Sequence, residues 1–84
     1  MSYKLEKEIL KSKYGKKCML CGRNLKDNQC TFHHIIPKSY NGETSVKNGA
    51  ILCQECQKII HLFDYNETGY IKLTYVILKN KGGK

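Results

Sequence analysis

CMLCGRNLKDNQCTFHHIIPKSYNGETSVKNGAILCQECQKIIH, residues 18–61, decides how the rest of the chain is read. It opens on Cys18-Met-Leu-Cys21-Gly22, and Cys53-Gln-Glu-Cys56 stands near its end. Each pair puts two sulfurs within one turn of chain, and two such hooks supply the four thiolates that a tetrahedral zinc ion takes at about 2.3 Å. Glycine after Cys21 suits the tight left-handed bend of a knuckle. Residues 22–52 lie between the pairs, more than the roughly 15–20 of a simple ribbon, so a structured element is inserted there. Disulfides are the competing reading. A total of five cysteines is odd, and a reducing compartment would keep thiols free, so both considerations favour metal. Cys30, the cysteine left over, sits in an apolar run and is expected to pack in the core.

The insert has its own pattern. Cys30 to Ile36 (CTFHHII) is rich in aromatic and branched residues and stops at Pro37, as a strand does. Residues 38–47, with Asn41-Gly42, read as a loop. Asn48 to Leu52 reads as a second strand, and Gln54 to Phe63 as a helix whose Ile59, Ile60 and Phe63 form an apolar stripe. Neighbouring strand residues point to opposite sides, so His33 and His34 cannot do the same job. One can hold a metal while the other meets solvent or substrate. Gln57 and His61, four apart, share a face of the helix. Taken singly, each histidine is more readily structural than catalytic.

Outward from this stretch, the N-terminal side predicts a helix over 2–14. Ser2 is placed to cap it, Leu5 and Ile9, then Leu10 and Tyr14, lie four apart, and Gly15 ends it. Beyond a turn at Asn66 to Gly69, Tyr70 to Leu78 (YIKLTYVIL) alternates Ile71, Leu73, Tyr75 and Ile77. That spacing predicts a C-terminal strand, with a flexible tail over 79–84.

With 84 residues the chain has room for one domain, 1–84, burying roughly 60–65% of its unfolded surface. Two Phe and no Trp make a modest core, so a staple is expected. Its longest apolar runs are four residues, Ala50–Cys53 and Tyr75–Leu78, against the ~20 of a membrane helix. Charged residues run through 1–17 without the apolar stretch of a secretory signal, so the expectation is a cytoplasmic protein with no membrane partner. The net charge is +8 and the pI about 9.3, which points to a polyanion. Residues 1–17 carry six lysines against two glutamates, and the middle is nearly neutral. Lys11, Lys13, Lys16, Lys17 and Lys38 are the candidate phosphate contacts. A solvated lysine face without a partner remains the plainer explanation of the same charge.

As an ordered series, Cys-x-x-Cys-Gly, His33-His34-Ile-Ile-Pro, Asn48, Leu-Cys-x-x-Cys and His61 resemble the HNH endonuclease family over residues 18–61. The resemblance implies an α+β fold: a small zinc-stapled single domain with a ββα-metal finger, to which the flanking readings add an N-terminal helix and a C-terminal strand. It implies one divalent ion (Mg²⁺, Mn²⁺, Ni²⁺ or Zn²⁺) beside the structural Zn²⁺. The activity implied is hydrolysis of DNA, expected double-stranded, leaving 5′-phosphate and 3′-hydroxyl ends, although the residues alone would allow RNA. Low sequence preference is expected because only one helix and one strand remain beyond the finger to read bases. By position His34 matches the family's general base and His33 a metal ligand. Asn48 matches the middle asparagine, which in relatives steadies the base's loop or lies near the metal, and His61 matches the distal helix histidine of the metal site. Two positions depart from the pattern. Gln57 stands where the family usually has a ligating histidine, and Gly49 where it usually has Leu or Ile. An amide oxygen is a weaker ligand than imidazole for transition metals. The alternative is therefore a catalytically impaired, zinc-stapled DNA-binding module.

Overall fold

The structure, a computed structural model, describes residues 4–82. The cap assigned to Ser2 and the last two residues of the expected tail lie outside these. Helix α1 (Lys4–Tyr14) buries Leu10 and Lys11 and stops before Gly15, whose N–H donates to the Lys11 carbonyl at 2.9 Å. The knuckle follows. Gly22 takes φ 82° while its N–H reaches the Cys18 carbonyl at 2.9 Å, a left-handed bend that costs glycine little.

Strand β1 (Thr31–His34) pairs antiparallel with β2 (Gly49–Leu52), with Phe32 opposite Ile51, His33 opposite Ala50 and His34 opposite Gly49. All four β2 residues are buried, which is why GAIL reads as a continuous apolar run rather than an alternation. Helix α1 packs on β2, and α2 (Gln54–Ile60) on β1. The expected strand–loop–strand–helix order is present, with β1, β2 and α2 shorter at their ends. Helix α2 ends three residues before Phe63 because Ile60 is its last buried side chain, whereas Leu62 is 80% exposed.

The expected C-terminal strand is instead helix α3, Thr68–Gly82. Its buried residues are Tyr70 and Ile77, two helical turns apart, with Leu73 packed between them. Ile71 and Tyr75, half of the apparent alternation, are exposed, as is Leu78 outside it. A third strand would also find no edge to join. Ile51 of β2 already accepts from Met19 N–H at 2.8 Å, and Phe32 of β1 accepts from Gln57 Nε2 at 3.2 Å. The tail is likewise helical through Gly82, so the flexible segment expected from residue 79 is not found in the part described. No helix among the described residues is long and apolar enough to cross a membrane.

Candidate metal centres and nuclease site

The two cysteine hooks meet beneath the hairpin. The ligand atoms of Cys18, Cys21, Cys53 and Cys56 all lie within 4.8 Å of one another, and Cys21 Sγ is 3.9 Å from Cys53 Sγ. Sulfurs at the corners of a tetrahedron with 2.3 Å bonds stand about 3.8 Å apart, so the set fits zinc. Backbone N–H groups of Leu20 and Cys21 point at Cys18 Sγ, each at 3.4 Å, and that of Cys56 at Cys53 Sγ at 3.4 Å. Burial opposes ionisation of Cys18, yet its backbone donors bring it down to about 7. Burial, then the neighbouring sulfurs, push Cys56 well above the ordinary thiol range. Four crowded sulfurs cannot all ionise unaided, and a divalent cation removes that conflict. Cys30 is buried in the core and stands outside the cluster.

On the hairpin, successive residues diverge as strand geometry requires. His33 is 2% exposed, and burial pushes it down to about 4, which keeps the ring neutral. Its ring centroid lies 5.7 Å from that of His61, the exposed residue that caps α2. His34 turns the other way. It lines an open cavity of about 400 Å³ together with Lys38, Tyr40, His61, Asp64 and Tyr70. His34 Nε2 is 2.9 Å from Thr44 Oγ1, and the ring of Phe32 meets it edge-on at 5.0 Å. Its pKa is lowered first by burial and then by the Lys38 charge.

Asn48 does not face this cavity. Its Oδ1 accepts from Ile36 N–H at 2.8 Å, and its Nδ2 donates to the carbonyls of Ile36 at 3.0 Å and Glu43 at 2.8 Å. The side chain closes the loop between the strands and leaves no group for chemistry. Gln57 turns its side chain to β1. Its amide spans His33 Nδ1 at 3.0 Å, Thr31 Oγ1 at 2.9 Å and the Phe32 carbonyl. Gly49 has a steric explanation: a Cβ there would stand 2.6 Å from the Phe32 ring and 2.9 Å from the Ser45 carbonyl.

Lys11 is a correction to the sequence reading. Its side chain is buried, with Nζ 2.6 Å from Asp27 and 2.7 Å from Glu8, and its pKa is raised, mainly by the Asp27 hydrogen bond. It ties α1 to the loop before β1 and is not available to phosphate. Lys13, Lys16, Lys17 and Lys38 are exposed. Thr44 and Tyr70 were not legible as site residues. Thr44 sits in a polar loop without a motif, and Tyr70 belonged to the segment read as a strand.

A two-stranded hairpin followed by a helix, carrying histidines on its first strand and at the helix end and pinned by four clustered cysteines, is a metal-stapled ββα finger. The HNH endonuclease family model matches residues 18–62, more than half of the chain, and the chain belongs to that family. No curated protein matches it in a sequence comparison.

Proposed function

We propose that the chain is a divalent-metal-dependent endonuclease that hydrolyses DNA phosphodiester bonds with little sequence preference. The observation that carries this reading is one open cavity lined by His34, His61 and Lys38, with the His33 ring 5.7 Å from that of His61. His34, neutral at physiological pH, takes a proton from the attacking water, a contribution of about 10²–10⁴. Thr44 and the Phe32 edge hold its ring in place. Asn48 is a positioning residue that fixes the loop leading away from His34. His33 and His61 are the side chains that would hold the catalytic cation. Their fit rests on His33 Nε2, whose near neighbour Tyr70 Oη, at 3.5 Å, gives its proton to the Ile35 carbonyl at 2.9 Å. Held by these two side chains, a divalent ion would supply polarisation of the phosphate and stabilisation of the leaving alkoxide, worth several kcal/mol.

Zinc is the ion assigned to the four-cysteine site, and a reducing compartment such as the cytoplasm suits its thiolates. Lys13, Lys16, Lys17 and Lys38 are assigned to duplex phosphates, contacts that carry no sequence information. One observation favours the second reading, an impaired DNA-binding module: Gln57 withdraws its amide into β1, leaving two imidazoles at the catalytic cation site. Incubating supercoiled plasmid with the purified chain and Mg²⁺, Mn²⁺, Ni²⁺ or Zn²⁺ separates the two. Cleavage with any of these ions, abolished by chelation at the catalytic site, supports the nuclease. Retention of DNA without cleavage under every ion supports the binding module.

A further inference from the structure

The hydrogen bonds around Gln57 fix the protonation of a neighbouring ring. Thr31 Oγ1 donates to the Leu52 carbonyl at 2.7 Å, which spends its only proton, so toward Gln57 it can only accept. The Phe32 carbonyl can only accept as well. Both contacts are made by the same end of the amide, at 2.9 and 3.2 Å, and that end is therefore the NH₂ group. The other end, Oε1, faces His33 Nδ1 at 3.0 Å. A carbonyl oxygen accepts, so Nδ1 carries the ring proton and Nε2 carries the lone pair. That lone pair is buried beside Tyr70 Oη, whose hydroxyl proton is already committed to Ile35. A buried acceptor without a donor is costly unless another electron-poor partner takes its place.

We infer that Gln57 is a positioning residue that locks His33 in the Nδ1–H tautomer and so presents Nε2 as the cation-ligating atom. The inference rests on the nuclease reading above and changes what the departure at position 57 means. Gln57 spends its amide on three β1 residues, Thr31, Phe32 and His33, and ligation of the same cation would require breaking these bonds. Its contribution is that of a partner bonded to the far nitrogen of a ligating imidazole. Such partners orient the ring and raise its basicity, and their loss costs about 10–100-fold in metal affinity.

Imidazole ¹⁵N spectra of the full chain, loaded with structural zinc, test this directly, together with calorimetric titration of a further equivalent of Zn²⁺. In the wild type, His33 should show a protonated Nδ1 and a bare Nε2, and the added Zn²⁺ should shift Nε2. Gln57→Leu should release the tautomer toward Nε2–H and weaken Zn²⁺ at this site about 10-fold or more. Gln57→Met, which keeps the length of the side chain and removes the oxygen opposite Nδ1, should release the tautomer and weaken Zn²⁺ in the same way, and is read by the same two measurements should the leucine variant not fold. A wild-type His33 with Nε2 protonated overturns the inference, as does a folded Gln57→Leu whose tautomer and affinity are unchanged. If either result accompanies metal-dependent plasmid cleavage, the nuclease reading survives and only the role of Gln57 is lost. If Zn²⁺ leaves His33 unshifted and no ion supports cleavage, both fail.

Discussion

His34 and Gly49 show how single side chains set the properties of the site. His34 is held below the ordinary histidine value of about 6.5, first by burial and then by Lys38. The base must be neutral to act, so cleavage should persist below that value and fall only as pH drops through the lowered pKa. Lys38→Ala removes the second cause, and the acid limb of a single-turnover profile should move to higher pH. A limb that stays where it was would separate Lys38 from the base. At Gly49, Ala would drive its Cβ into the Phe32 ring, and overpacking of this kind costs about 1–3 kcal/mol. The denaturation midpoint of Gly49→Ala should fall accordingly, while an unchanged midpoint would mean that the ring has room to move. Position 49 was legible only as a departure from a family pattern. Its reason is a ring on the neighbouring strand, two residues from His34, and no spacing within the sequence encodes that contact.

Among the elements, α3 is the one that the sequence concealed. YIKLTYVIL satisfies a period of two through Ile71, Leu73, Tyr75 and Ile77, and a period near 3.6 through Tyr70, Leu73 and Ile77. Burial decides between them, because only the second set packs on the core. The helix is tied down at its far end by Lys81, whose Nζ donates to the carbonyls of Val46 at 2.8 Å, Lys47 at 3.1 Å and Gly49 at 2.6 Å. These bonds hold the loop that enters β2. Lys81→Met should lower stability by about 1–3 kcal/mol, since it strands acceptors that a charged donor had satisfied. The check is a shift in the urea midpoint at constant m-value, and a midpoint within error of wild type would show that water replaces the ammonium without loss. Helix α2, by contrast, was legible, because Cys53 and Cys56 mark its first turn and Ile60 its buried face.

At the scale of the whole molecule, the core is small and the cysteine cluster joins its two halves. Cys18 and Cys21 come from the knuckle after α1, Cys53 and Cys56 from the start of α2. Chelation, or Cys56→Ala, should therefore unfold the chain cooperatively, as followed by circular dichroism. A native spectrum after complete loss of metal would refute the staple. The cluster and the ordered histidines were legible because ligand chemistry restricts both residue type and spacing. The fate of Lys11 was not: Glu8, three residues back on the same helix, follows from spacing, but Asp27 is revealed only when α1 is laid against the following loop. DNA affinity should drop steeply with salt, and charge reversal at Lys13, Lys16 and Lys17 should flatten that slope. A slope unaffected by all three would move the DNA to another face. The most direct measurement compares wild type and His34→Ala on supercoiled plasmid with the most effective divalent ion, at matched zinc content, fold and DNA affinity. Wild type should nick the plasmid and His34→Ala should lose nearly all of that activity. Equal cleavage by the two proteins, with contaminating nuclease excluded, or none by wild type with any ion, would contradict a His34-based nuclease.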